Sequence, residues 1–299
     1  MASKKTALSP LPEFASLSAG TTALGEIVVF IDGRADAAGI VEFASALTKE
    51  HNARLIGVFM EPASEATPAQ TFARGKGMVS LAEEQQAQLD KIAAEHHAQF
   101  EDIVGRHGIR SEWKLLSHLS REVGVHAYYA ELVVVARPKS AAQTAGPPGL
   151  AESLILSSGR PIILFPPDRV VSQIRRILVA WNATRESVRA VADALPLLVK
   201  ADAVEVLIVG DERHAMDQSK EPGAEVARHL AYHGAHVEVY RIAPEGQEVG
   251  RLLLSRAAAF GADLLVMGAY GHSYVSEWVF GGVTRTVFRE ADLPVLMSR

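Results

Sequence analysis

Cysteine is absent from this 299-residue chain, and with it go disulfides, thiolate zinc sites, iron–sulfur clusters and cysteine nucleophiles. Long apolar runs are missing too. The longest, such as Leu132 to Ala136, are strand-sized and fall well short of the ~20 residues that span a bilayer. There is no large excess of one charge: a net charge of −5 gives no electrostatic footprint for nucleic acid or an anionic membrane surface. The opening residues hold two lysines but no apolar segment, so a secretory signal is not expected. What remains is an ordinary globular composition, 48% apolar and 22% charged. These features point to a cytoplasmic protein, and at roughly 150 residues per domain to two domains.

What the chain does contain is a repeat. Ile27 to Asp32 (IVVFID) reads against Ile177 to Asn182 (ILVAWN), and Ala53 to Phe59 against Ala203 to Val209, both at an offset of 150. His107 to Trp113 matches His233 to Val239 at an offset of 126, which leaves 24 extra residues in the first copy, around EPASEATPAQTFARGKGMVS. Ala130 to Ala136 matches Ala262 to Gly268 at 132, and Arg160 to Phe165 matches Leu293 to Ser298 at 133. Five collinear matches establish a duplication. They divide the chain into an N-terminal extension (1–23), a first domain (24–168) and a second domain (174–299), joined by the short linker Pro166 to Ile174.

Each copy alternates apolar strands with helical patterns. Ile177 to Trp181 is a continuous apolar run, as expected of a strand buried on both faces. Val188, Val191, Leu195, Leu198 and Val199 then fall on one helical face. In the first copy Ser80-x-x-Glu83 reads as a capping box that opens a long helix, with Leu89, Ile92, Ala93, Phe100, Ile103 and Val104 on its apolar stripe. Its counterpart starts near Pro222 and ends at Gly234, a C′ glycine. The fold class expected is α/β, with two tandem doubly wound parallel sheets and helices on both faces.

In such sheets a ligand sits at the carboxyl ends of the strands, where the strand order reverses. The fourth strand of the second copy runs into MGAYGHSYVSEWVFGGVTRTV, with glycines at 268, 271, 281 and 282 before a helix. A Gly-Gly pair at a helix start exposes N–H groups and the positive end of the helix dipole, which suits phosphate oxygens. The spacing is neither the Walker nor the Rossmann pattern.

This loop resembles that of universal stress protein domains, G-x2-G-x9-G-[ST], with Gly268, Gly271 and Gly281 on the three glycines. The resemblance covers both halves. It implies five parallel strands in the order 3-2-1-4-5, pairing of the copies as an intrachain pseudo-dimer through the fifth strand, and a stress-response role without catalysis. It further implies a site for ATP or another adenine nucleotide, with Mg, in the second copy, where Asn182 ends the first strand and Val209 the second. Two positions depart from the pattern. Gly282 replaces the phosphate-binding hydroxyl, a loss of about 1–3 kcal/mol for a charged acceptor, and Asn182 replaces an aspartate. The first copy keeps Asp32, but Ala136, Lys139 and Pro148 occupy its three glycine positions, so it is expected to bind no nucleotide.

Other features carry less. His229, His233 and His236 have metal-ligand spacing but no acid or cysteine to complete a set, so no metal is expected. His96 and His97 are adjacent and read as solvent-exposed. Arg74 to Gly77 reads as a loop tip. His272-Ser273 lacks a group to orient the histidine as a base, so no catalytic residue is assigned. Trp181, Trp278 and Phe280 are read as core or interface residues. The competing expectation is an interaction module without nucleotide; an enzyme of related fold, a nucleotide hydrolase or transferase, ranks last. With the fifth-strand edge satisfied inside the chain, two chains can still assemble into a homodimer.

Overall fold

A computed structural model describes residues 24–33, 37–61, 76–116, 123–137, 149–167, 169, 171, 173–210, 223–269 and 282–299. The first half runs β1 (Glu26–Ile31), α1 (Ala37–His51), β2 (Arg54–Met60), α2 (Lys76–His107), β3 (Arg110–Leu116), α3 (Val123–Ala127), β4 (Leu132–Ala136), α4 (Leu150–Ser157) and β5 (Ile162–Phe165). The second half runs β6 (Arg176–Ala180), α5 (Arg185–Leu198), β7 (Ala203–Val209), α6 (Ala224–Tyr232), β8 (Val237–Ile242), α7 (Val249–Phe260), β9 (Leu264–Gly268), α8 (Gly282–Glu290) and β10 (Val295–Ser298).

The ten strands among the described residues form one sheet, ordered β3-β2-β1-β4-β5-β10-β9-β6-β7-β8. Each half therefore has the expected 3-2-1-4-5 order. Among the described residues the one antiparallel ladder is the seam, where Val295, Leu296 and Met297 face Leu164, Ile163 and Ile162. The fifth strands are thus used inside the chain. The remaining edges, β3 and β8, lie at opposite ends of the sheet, so a homodimer of whole chains cannot form through β5 or β10 without opening the seam.

Period-2 alternation sends successive residues of each strand to opposite faces. Ile27, Val29 and Ile31 join a core with Phe43, Phe100, Val191 and Leu230, under α1, α2, α5 and α6. Val28 and Phe30 join the other, with Leu154, Leu253 and Val287, under α4, α7 and α8. Both cores run unbroken through the seam, which explains why the strands read as continuous apolar runs. Polar contacts cross between the halves as well. Lys200 donates to the Glu50 carbonyl and Arg189 to the Gly159 carbonyl at 3.5 Å, while Arg169 of the linker pairs with Asp292 at 3.5 Å. Burial and the nearby Lys200 ammonium push His51 down to about 4.

The duplication extends to individual hydrogen bonds. Before β4 the Glu131 carboxylate accepts from the Glu26 N–H at 2.7 Å. At the matching place before β9, Asp263 accepts from the Arg175 and Arg176 N–H groups, both at 2.9 Å. The helices preceding β3 and β8 both end on left-handed glycines, Gly108 (φ 65°) and Gly234 (φ 90°). Around Gly234 the bonds Ala235 N–H to Leu230 C=O and Gly234 N–H to Ala231 C=O make a Schellman motif.

Four expectations need correction. Helix α2 begins at Lys76 and passes through Ser80, so the capping box does not open it. Most of the first-copy insertion lengthens this helix, and of the expected loop tip Lys76 and Gly77 are helical while Arg74 and Gly75 lie outside the described residues. Val188 is 52% exposed and off the buried face of α5, which instead uses Ser187, Ala190, Val191, Ala194, Leu195 and Leu198. Of the adjacent histidines His97 is exposed as expected, one ring face stacked on Trp113 at 5.0 Å, but His96 is half-buried against Phe59 (5.2 Å between centroids). Gly57 makes room for Phe100, which packs on the same Trp113 at 5.2 Å: a Cβ there would lie 2.6 Å from Phe100 Cε2.

Candidate functional site

In the second half β6 lies between β9 and β7, so the chain leaves β6 in one direction across the sheet and returns to its other side with β9. This reversal opens a crevice at the carboxyl ends of β6 and β9. Helix α8 connects β9 to the parallel β10, which places its amino end at the same edge of the sheet.

Asn182 sits at this edge, exposed, two residues past β6. Its Oδ1 accepts from the Thr184 N–H at 3.3 Å and from the Thr184 hydroxyl at 2.9 Å. A backbone N–H only donates, so the amide oxygen must face Thr184, and Asn182 keeps its NH2 donors for any ligand. Thr184 in turn caps α5, its Oγ1 accepting from the Ser187 N–H at 3.4 Å. Between them Ala183 is left-handed (φ 57°), and its counterpart at the offset of 150 is Gly33 (φ 72°). The same turn is built in both halves, without a Cβ in the first and held by Asn182 in the second. Val209 ends β7 half-buried, followed by Gly210 (φ 88°), whose N–H donates to the Ile242 carbonyl at 2.9 Å.

Gly268 ends β9, and the space on its Cβ side is not open to a ligand. A Cβ there would lie 2.6 Å from the Glu186 carbonyl carbon and 2.7 Å from the Ser187 nitrogen. The first turn of α5 is packed directly on this glycine. Gly282 differs: it opens α8, is exposed, and a Cβ would meet nothing within 4 Å. The first N–H groups of a helix have no partner within it, and a glycine at such a start leaves room for an anion to approach them. Gly271 and Gly281 lie outside the described residues, as do His272, Ser273, Trp278 and Phe280. Trp181 packs, half-buried, against the core under α5.

The first half builds the corresponding place differently. Asp32 and Ala136 hold the positions of Asn182 and Gly268; Lys139 and Pro148 lie outside the described residues. Helix α4 stands where α8 stands, and its first turn carries Glu152, only 2% exposed. Burial raises its pKa, against the lowering effect of its own backbone N–H. Its Oε2 has no hydrogen-bond partner among the described residues, and a Cβ on Gly149 would lie 2.8 Å from that oxygen. An acidic side chain already lies against the helix end to which a phosphate would bind.

The raised pKa sets a sign. The folded state binds more protons than the unfolded chain above the ordinary glutamate range, so ionised Glu152 costs stability as pH rises through its folded pKa. Glu152→Gln is expected to stabilise the protein at pH 7 by about 1 kcal/mol, a rise of about 2–4 °C in Tm. The gain should vanish near pH 4. A variant less stable than the parent at pH 7 would show that the carboxylate is well solvated or paired.

Sequence reasoning missed Glu152 and Thr184, and also Arg137, which follows Ala136 and reaches into the second half. An acid three residues after Gly149, where α8 follows Gly282 with Val283, Thr284 and Arg285, was the available signal for Glu152. His229 and His233 do share a helix face, with ring centroids 4.8 Å apart, but no group of three metal-ligating side chains occurs among the described residues. Nor is any described helix long and apolar enough to cross a membrane.

Residues 173–299 match the sequence model of the Universal stress protein family. Among solved structures the chain is similar to a universal stress protein from Archaeoglobus fulgidus, with 16% identity, a TM-score of 0.67, and 92% of this chain and 96% of that one covered. It is also similar to a functionally unknown protein from Pseudomonas aeruginosa PAO1 (15% identity, TM-score 0.56, 92% of each chain). A third similar structure is a putative universal stress protein from Pseudomonas aeruginosa UCBPP-PA14 (15% identity, TM-score 0.54, 92% and 93%). At these identities the structures establish the fold alone. No curated protein sequence matches the chain.

Proposed function

From the match of residues 173–299 to the Universal stress protein family, we propose that the chain is a tandem member of it, whose second half binds one adenine nucleotide and whose first half binds none. The observation that carries the reading is the exposed, unobstructed Gly282 at the amino end of α8, in a sequence that keeps the G-x2-G-x9-G spacing from Gly268. Phosphates would lie on this helix end, with Mg, and the nucleoside would extend across Asn182 toward Val209. Asn182 offers donors only, and Gly282 supplies no hydroxyl, so the affinity should be modest. In the first half the buried Glu152 carboxylate disfavours a second anion.

The role assigned is that of a cytoplasmic stress-response protein that binds nucleotide without breaking it. The domain limits taken for this reading are 24–168 and 174–299. Isothermal titration with ATP, ADP and AMP at physiological magnesium is expected to give a Kd of about 1–100 μM, corresponding to about 6–8 kcal/mol. Gly271→Arg, which puts a bulky side chain into the glycine loop, should abolish the heat. No heat from the parent protein at high concentration would refute the nucleotide reading and favour an interaction module. Sustained phosphate release would refute the absence of catalysis.

A further inference from the structure

Arg137 is the second residue of the loop that lost its glycines, yet its side chain belongs to the other half. Its Nη1 donates to the Arg289 carbonyl at 2.6 Å, across the seam. Arg289 lies in the last turn of α8, where carbonyls have no partner within the helix and the negative end of the dipole is exposed. A guanidinium there is both a hydrogen-bond donor and a matching charge. Arg137 itself is half-buried, while Arg289 is exposed. Among the described residues its buried Nε has no acceptor, so the cross-seam carbonyl is the partner the side chain is placed for.

We infer that Arg137 is a positioning residue for the second-half site, fixing from the first half the carboxyl end of the helix whose amino end faces the crevice. Helix α8 has nine residues and is about 13 Å long; a rod this short transmits a displacement of one end to the other. Its own half holds it in the middle and near the end, through Thr286 donating to the Glu248 carboxylate and Arg251 pairing with Glu290 at 3.4 Å. Gly250 lets α7 approach, since a Cβ there would lie 2.7 Å from Thr286 Cβ. Arg137 adds a hold from outside that half. The coupling is one-way: at the offset of 132 the counterpart of Arg137 is Ala269, whose methyl cannot reach across the seam. The degenerate copy thus supports the retained site through the loop in which it lost its own.

The affinity arm of the test rests on the proposed nucleotide site; the exchange arm does not. Hydrogen–deuterium exchange on the full chain without ligand compares peptides covering α8 with peptides covering α6, which does not touch the seam. Arg137→Ala is expected to raise exchange in α8 about tenfold, with α6 unchanged. Arg137→Lys, which keeps the charge but loses the fork geometry, should give a smaller rise. MgATP affinity should fall about fivefold in Arg137→Ala and recover in part in Arg137→Lys. Unchanged exchange in α8 overturns the inference, and so does an equal rise in α6 and α8, which would mean general loosening. If the parent chain binds no MgATP, the nucleotide reading fails and the exchange result alone decides the role of Arg137.

Discussion

Gly268→Ala should lower the stability of the protein by about 3 kcal/mol, near the upper end for an overpacked methyl group. The reason is what the methyl meets. Its nearest neighbours would be the Glu186 carbonyl carbon at 2.6 Å, the Ser187 nitrogen at 2.7 Å and the Glu186 Cβ at 2.7 Å. Two of these are backbone atoms in the first turn of α5, and no rotamer change removes them. Relief requires the amino end of α5 to move off the sheet, which disturbs the Asn182–Thr184–Ser187 hydrogen bonds as well. Nucleotide affinity should fall with stability, because the strand end and the cap of α5 shift together. Urea denaturation measures the first effect. A loss under about 1 kcal/mol would mean that α5 slides aside cheaply and that Gly268 serves only the loop. The first half accepts Ala136 at the matching position, so Ala136→Gly should cost no more than the conformational freedom of a glycine, about 1 kcal/mol or less.

The second large effect is expected at a buried ion pair. Glu205, on β7, is 3% exposed. Arg256 of α7 meets it with two parallel hydrogen bonds, Nε to Oε1 at 2.7 Å and Nη2 to Oε2, while its guanidinium lies 3.5 Å over the Tyr240 ring. The carboxylate raises the arginine pKa, first through these hydrogen bonds. Removing one partner leaves a charge in the core, so Arg256→Ala should cost about 3–5 kcal/mol. Arg256→Lys should lie between, since an ammonium cannot make the paired contact. The double variant Glu205→Leu/Arg256→Met should restore most of the stability, because an apolar pair of similar size carries no desolvation cost. A double variant as unstable as Arg256→Ala would mean that the pair contributes net stability rather than only tolerating its own burial.

How much of this was legible in the sequence depended on how local the cause was. The strands could be read because both faces are covered, which makes Ile27 to Ile31 and Ile177 to Ala180 continuous apolar runs, and the repeat then gave the topology twice. Ser80 misled because a capping box is a local signal, whereas the start of α2 at Lys76 reflects a helix that continues through it. Val188 misled because helical spacing alone does not say where the edge of the buried face falls; the strip shifted to Ala190 and Ala194, small residues that let α5 lie close on the sheet. At the site, glycine spacing revealed the loop but not the different duties within it. Gly268 answers to the approach of α5, and Gly282 to open space. Glu152 and Arg137 were invisible for a different reason. Each is a charged residue of ordinary surface type, and only the folded chain shows one buried at the end of α4 and the other reaching α8.

The central claim is that two copies of one fold have become unequal, with one nucleotide site per chain. Native mass spectrometry of the full chain at saturating MgATP tests it most directly, since it counts ligands on each molecule. One bound nucleotide on the parent chain and none on Gly271→Arg is the predicted result. Two nucleotides per chain, none at all, or one that survives Gly271→Arg would contradict it.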